Sequence, residues 1–281
     1  SALIGRPNLL PSDVNPWTPV VPHLHFPPAE RATESAEFTF FAADEWSKIA
    51  NGGGVMRELT ERLVPGFNSE LLRLQLENMR RRAELRLGSQ FHALLGHRHQ
   101  YDVITRELLE RYVTTGHEES HSGVEAGRYS DLTKSADLHF VGPRRGFPIS
   151  LIDTPGTNDP LLVRDEITRL SLASADIYIV VLTAQMPLSA TDVALLRILR
   201  GLHKDRLIVF INRIDQLRNP AGDCLRLVAH VRAMLDQEFP AMDIPIIAGS
   251  AWWGSCASSD VQADLDRAAN EALRAYAASI R

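Results

Sequence analysis

The sequence predicts an α/β fold with a mostly parallel sheet covered by helices on both faces. Two observations carry this expectation. From residue 136 to residue 281, apolar runs alternate with amphipathic segments, and alternating strands and helices pack as a parallel sheet between helical layers. Three of these runs also end on polar residues suited to holding a ligand, and in open α/β sheets ligands bind beyond the carboxyl ends of the strands.

The elements follow in order. Ser1 to Gly5 suits the end of a helix, with Gly5 as its cap. The opening on Ser1 is read as a piece of a longer chain. A loop runs from Arg6 to Trp17, then a strand from Val20 to Phe26. Pro19 and Pro22 cannot donate ladder hydrogen bonds, so this strand is expected at a sheet edge. Residues 42–113 read as helical throughout. Within them Leu72, Leu76, Met79, Ala83, Leu87, Phe91 and Leu94 recur every three or four positions on one helical face. Tyr101 to Val113 reads as another helix, and His97 and His99 flank Arg98 at a helix end. Residues 114–130 are rich in Gly, Ser and His and read as a mobile loop.

Four strands are then expected at Pro148–Ile152, Ile177–Leu182, Leu207–Ile211 and Ile244–Ala248. Helices are expected near 162–173, 190–202 and 223–238, and from Val261 to Ile280. Ser189 and Asp192 form a capping-box pattern. The chain thus reads as three regions: 1–41, a helical insert with its loop at 42–135, and 136–281.

Composition narrows the function. Of 281 residues, 44% are hydrophobic, enough for a substantial core. The net charge of −5 argues against a nucleic-acid partner. Two cysteines, Cys224 and Cys256, fit a reducing cytoplasm rather than a disulfide framework. No run of 18 apolar residues is present to span a membrane.

The chemistry lies after the strands. Asp153-Thr154-Pro155-Gly156 follows the first. A carboxylate there can hold water on Mg²⁺, and a glycine lets a backbone N–H approach a terminal phosphate. Asn212-Arg213-Ile214-Asp215 follows the third. A carboxylate at Asp215 can accept two N–H groups from a guanine edge, a pair that adenine lacks. Gly249-Ser250-Ala251 follows the fourth, where a backbone N–H can meet the base carbonyl. Each motif alone also fits an ordinary turn or cap. Their order after the first, third and fourth of these strands is the layout of GTPases.

Leu10-Pro11-Ser12-Asp13-Val14-Asn15-Pro16-Trp17-Thr18 resembles a segment of bacterial dynamin-like GTPases. Residues 1–26 and 136–260 carry this resemblance. It implies a three-layer α/β sandwich of the P-loop NTPase class with a helical insert, binding GTP or GDP with Mg²⁺ and hydrolysing GTP to GDP. It makes Thr18 the switch threonine and, with Asp153, a holder of Mg²⁺. Asp153 and Gly156 sense the γ-phosphate; Asn212, Asp215, Ser250 and Ala251 read guanine. Arg213 stands where the family has lysine, and its planar head can stack over the nucleotide. The resemblance also implies self-association through the GTPase face and peripheral membrane contact.

One departure is large. No Gly-x-x-x-x-Gly-Lys-Ser/Thr occurs in the sequence, and that loop supplies the N–H cradle and lysine for the phosphates. The strand before it belongs in mid-sheet. Weak nucleotide binding and poor stability are therefore expected of this chain, and a non-hydrolysing scaffold is the alternative. His117-Glu118-Glu119-Ser120-His121 matches a zinc-protease pattern, but Gly116 and Gly123 flank it in a polar loop without a helical apolar face. A zinc protease is the distant alternative. Arg80-Arg81-Arg82 reads as a solvated helix face balanced by neighbouring Glu, with lipid headgroups as the competing reading. Trp252 and Trp253 read as either a wall of the base pocket or core.

Overall fold

A computed structural model describes residues 9–10, 20–27, 33–50, 69–114, 126–141, 147–154, 175–201, 206–258 and 274. The helix end at 1–5, most of the 114–130 loop, the helix at 162–173 and nearly all of the last helix lie outside the described residues. The chain divides into two compact units, Asn8–Arg62 with Gly66–Ser174, and Ala175–Arg281 with Ser1–Pro7 and Leu63–Pro65.

The first unit is built on a five-stranded sheet. Its strands are β1 (Val21–Phe26), β2 (Ser35–Phe40), β3 (Arg98–Tyr101), β4 (Thr133–His139) and β5 (Ile149–Ile152), in the order β3-β2-β4-β1-β5. Only β1 and β4 pair in parallel; the other three pairings are antiparallel. Alternation gives this sheet two chemically distinct faces. Leu24, Phe26, Ala36, Phe38, Phe40, Ala136 and Leu138 are buried on one. His23, His25, Ser35, Glu37, Asp137 and His139 occupy the other.

Helices α1 (Ala43–Ala50), α2 (Ser69–Leu87), α3 (Phe91–Leu94) and α4 (Arg106–Val113) belong to the same unit. The periodic face of α2 buries Leu76, Met79, Ala83 and Leu87, as the spacing predicts, and Phe91 is buried beyond it. The helix stops at Gly88, whose φ of +53° suits glycine. Thr105 caps α4 by accepting from the Leu108 N–H at 3.1 Å.

Three expectations are corrected here. The first strand is not an edge, because β4 and β5 flank β1. Pro22 is tolerated because it sits near the strand's start, where its carbonyl accepts the Asp153 N–H at 3.0 Å and the β5 ladder ends. Residues 42–113 are not helical throughout, since β3 lies inside them and pairs with β2. Arg98 and His99 therefore sit in a strand rather than at a helix end, and Tyr101 ends that strand.

Arg82 is also more than a solvated charge. It donates to the buried Asp131 at 2.8 Å, and Arg86 reaches the same carboxylate at 3.3 Å. Arg80 pairs with Glu84 at 2.9 Å on the exposed face.

The second unit holds a wholly parallel sheet in the order β6-β7-β8, formed by Tyr178–Thr183, Leu207–Asn212 and Ile246–Ala248. With it come α5 (Ala190–Gly201), α6 (Pro220–Glu238) and α7 (Ala251–Ser258). Ser189 and Asp192 close a reciprocal capping box: Asp192 Oδ2 accepts the Ser189 N–H at 2.9 Å, and Ser189 Oγ accepts the Asp192 N–H at 3.3 Å. At the start of α6, Asn219 Oδ1 accepts the Gly222 N–H at 3.2 Å and Asp223 Oδ2 accepts the Asn219 N–H at 3.1 Å. The architecture is α/β, with parallel and mixed sheets and helical insertions, consistent with a three-layer P-loop NTPase fold.

Candidate functional site

Strand β7 alternates buried Leu207, Val209 and Ile211 with partly exposed residues, and it ends on Asn212. The Asn212 backbone carbonyl accepts the Ala184 N–H at 2.9 Å, tying the end of β6 to the end of β7. Its side-chain Oδ1 accepts two further backbone donors, Arg213 N–H at 2.8 Å and Ala251 N–H at 2.9 Å. One amide oxygen thereby links the turn after β7 to the start of α7.

Arg213 adopts the left-handed region, with φ 64° and ψ 33°. This is uncommon for a bulky residue. The bond from its N–H to Asn212 Oδ1 supports the turn. The chain then enters a short 3₁₀ helix, Ile214–Gln216. Ile214 is fully buried and anchors it. The Gly249 N–H donates to Ile211 O at 2.9 Å, bringing the turn after β8 close. A Cβ at Gly249 would meet the Phe210 ring at 3.1 Å, a tight contact that the ring would have to relieve by shifting a few tenths of an ångström.

Beside these turns lies an open, shallow pocket of about 450 Å³ lined by Asn212, Arg213, Asp215, Gln216 and Trp252. Asp215 Oδ1 is buried and has no hydrogen-bond partner among the described residues. An unpaired buried oxygen costs about 1–3 kcal/mol, more when charged. A ligand carrying N–H donors relieves that cost. Trp253 is buried, whereas Trp252 is half exposed at the pocket.

The structure brings Asn212, Arg213 and Asp215 together in the pocket lining. Ser250 and Ala251 adjoin it with their polar groups engaged locally. Ser250 Oγ accepts the Trp253 N–H at 3.1 Å and caps α7, while the Ala251 N–H is held by Asn212. Gln216 is a lining residue that sequence reasoning did not find, as no motif marks it. It hydrogen-bonds Gln185 from the turn after β6.

Asp153 follows β5 in the other unit, its N–H bonded to Pro22 O. Although residue 153 keeps exposed surface, burial raises its carboxyl above the ordinary value, opposed by a hydrogen bond from the Thr154 N–H. Thr18 and Gly156 lie outside the described residues, as do His117 and His121. Of the pair expected to hold Mg²⁺, Asp153 alone is described.

Two solved structures share the fold, both reported as an oligomerised bacterial dynamin pair providing a mechanism for long-range sensing and tethering of membranes. The first aligns with TM-score 0.59 at 16% identity, over 98% of this chain and 37% of that one. The second aligns with TM-score 0.51 at 15% identity, over 98% of this chain and 45% of that one. The chain therefore spans less than half the length of either. No curated protein matches it. Among the described residues, no helix is long and apolar enough to cross a membrane. The model of the elongation factor Tu GTP binding domain matches residues 110–274, more than half of the sequence, and takes in the turns after β5, β7 and β8. The chain belongs to the elongation factor Tu GTP binding domain family.

Proposed function

We propose that this chain reads the guanine of GTP and GDP through the pocket after β7, as part of a dynamin-like GTPase. The observation that carries the reading is Asp215, a residue of the pocket lining whose buried Oδ1 has no hydrogen-bond partner among the described residues. Guanine presents two adjacent donors, its ring N1–H and its C2 amino group, and one carboxylate can accept both. Adenine offers no such pair and leaves Asp215 unpaired, the condition that produces strong discrimination. Asn212 holds both turns through its Oδ1 and, as a residue of the lining, also reads the base. Trp252 and Arg213 flank the base, and the Ser250-Ala251 turn closes its carbonyl side.

Hydrolysis in this reading is in-line attack of water on the terminal phosphate, driven by positioning and charge stabilisation. Thr18 and Asp153 would hold Mg²⁺, which supplies neutralisation of the phosphate charge. Gly156 admits a backbone N–H beside the γ-phosphate. The likeness to the membrane-tethering dynamin pair supports self-association through the GTPase face and peripheral membrane contact from the cytoplasm. The sequence contains no Gly-x-x-x-x-Gly-Lys-Ser/Thr. The second reading is a non-hydrolysing scaffold with a decayed nucleotide site, which a preceding region lacking that loop would favour.

Competition binding with a fluorescent guanine nucleotide tests the assignment. GDP displaces the probe at least tenfold better than ADP, about 1.4 kcal/mol of preference. Equal competition by ADP contradicts guanine reading. Because the sequence lacks the phosphate loop, affinity is weaker than low micromolar; a tighter value contradicts that expectation.

A further inference from the structure

We infer that His23, His25 and Asp137 form a binding site for a divalent transition metal of the zinc type, on the polar face of the five-stranded sheet. Strand alternation sends His23 and His25, two residues apart, to one face of β1. Parallel pairing sets His23 against Asp137 and His25 against His139. Antiparallel pairing sets His25 against Ser150. Leu24 and Leu138 are buried on the opposite face. A one-residue slip would expose them, so the core fixes the cluster's register.

The geometry is convergent. His23 Nδ1 and His25 Nε2 each lie 3.1 Å from the same oxygen, Asp137 Oδ1. The three donor atoms lie within 4.8 Å of one another. A cation about 2.0–2.2 Å from each can replace the shared protons with small side-chain rotations. His25 Nδ1 lies 2.8 Å from Ser150 Oγ. With metal bound, Nδ1–H donates to that hydroxyl and leaves the Nε2 lone pair for the ion, the usual outer-shell arrangement for a metal-binding imidazole. The His139 ring stacks on His25 at 4.5 Å between centroids and steadies its plane.

Two imidazoles and one carboxylate suit Zn²⁺ and neighbouring first-row ions, whereas Mg²⁺ takes oxygen ligands. Three protein ligands leave a fourth position for water or an exogenous ligand. The site shares no residue with the guanine pocket or with the Thr18–Asp153 pair, so it stands whether or not the chain binds nucleotide.

The test is titration of the untagged, metal-stripped full chain with Zn²⁺ and Co²⁺. One equivalent binds, Co²⁺ gives the visible bands of a low-coordinate nitrogen–oxygen site, and Zn²⁺ raises the melting temperature. Asp137→Asn, which keeps the side chain's shape, and His25→Ala both weaken Zn²⁺ by a hundredfold or more. Ser150→Ala weakens it about 10–100-fold. His117→Ala leaves it unchanged. Absence of saturable Zn²⁺ binding overturns the assignment. So does zinc that persists in folded Asp137→Asn and disappears in His117→Ala.

Discussion

A carboxylate oxygen buried without a donor and an asparagine with two donors on one oxygen divide the labour at the pocket. Asp215 Oδ1 has no partner among the described residues, which the proposed reading gives to a ligand; Asn212 has its side-chain oxygen occupied by the protein itself. Asn212→Ala therefore acts on the fold as well as on binding. It removes two hydrogen bonds and releases the left-handed turn at Arg213, for a loss of about 1–3 kcal/mol by urea denaturation. Guanine affinity falls with it, because Asp215 loses its fixed position. Gly249→Val tests the close approach behind the pocket. Its side chain meets the Phe210 ring, and overpacking of this kind costs about 1–3 kcal/mol. Unchanged melting of Gly249→Val would show that the Phe210 ring yields freely.

At the scale of elements, the aromatic core of the first unit makes a pH-dependent contribution. His99, in β3, bonds the Tyr112 hydroxyl at 2.6 Å and packs edge-on against Phe40 and Tyr129. Burial first, and the neighbouring His97 second, hold its imidazole below the ordinary value. The unfolded chain then takes up the proton before the folded one as pH falls. Stability from this group is full above about pH 6.5, declines below it, and levels off once the folded imidazole also titrates. The difference in urea stability between wild type and His99→Gln, followed from about pH 8 to about pH 5, shows that slope. A flat difference contradicts it.

The same elements show what the sequence made legible. Strands β6 and β7 are nearly continuous apolar runs, Tyr178–Thr183 and Leu207–Asn212, and both are found within a residue of the expected places. Strands β2 and β4 were not expected. Ser35–Phe40 and Thr133–His139 alternate apolar with polar residues, and their polar half faces the His23 side of the sheet. That pattern is weak to a search for apolar runs. Strand β3, Arg98-His99-Gln100-Tyr101, has no aliphatic residue at all and exists through its pairing with β2. Pro22 suggested an edge because ladder position is invisible in sequence.

On the whole-molecule scale, the described residues form two separate sheets, in two units that carry different parts of the expected GTPase machinery. That Asn212, Arg213 and Asp215 share one lining was legible because these residue types follow a strand at fixed places. Gln216 was not, because its place in the lining depends on a 3₁₀ turn that no motif encodes. If the proposed reading holds, nucleotide would act on this arrangement by mass action: at a hundred times the dissociation constant it would stabilise the state that binds by about 2.7 kcal/mol. Hydrogen exchange with and without saturating GDP locates that effect. Protection rises at 212–216 and 249–253 more than across β2 to β4; uniform protection contradicts a localised base site.

The most direct measurement is nucleotide preference in Asp215→Asn. The substitution replaces a carboxylate oxygen by an amide N–H donor and leaves the shape unchanged. Guanine's C2 amino group then faces a donor, while the C2 carbonyl of xanthine gains one. Wild type is expected to prefer GDP over XDP and the variant to reverse the preference, each by at least tenfold, about 1.4 kcal/mol. A variant that keeps the wild-type preference for GDP would show that Asp215 does not read the base.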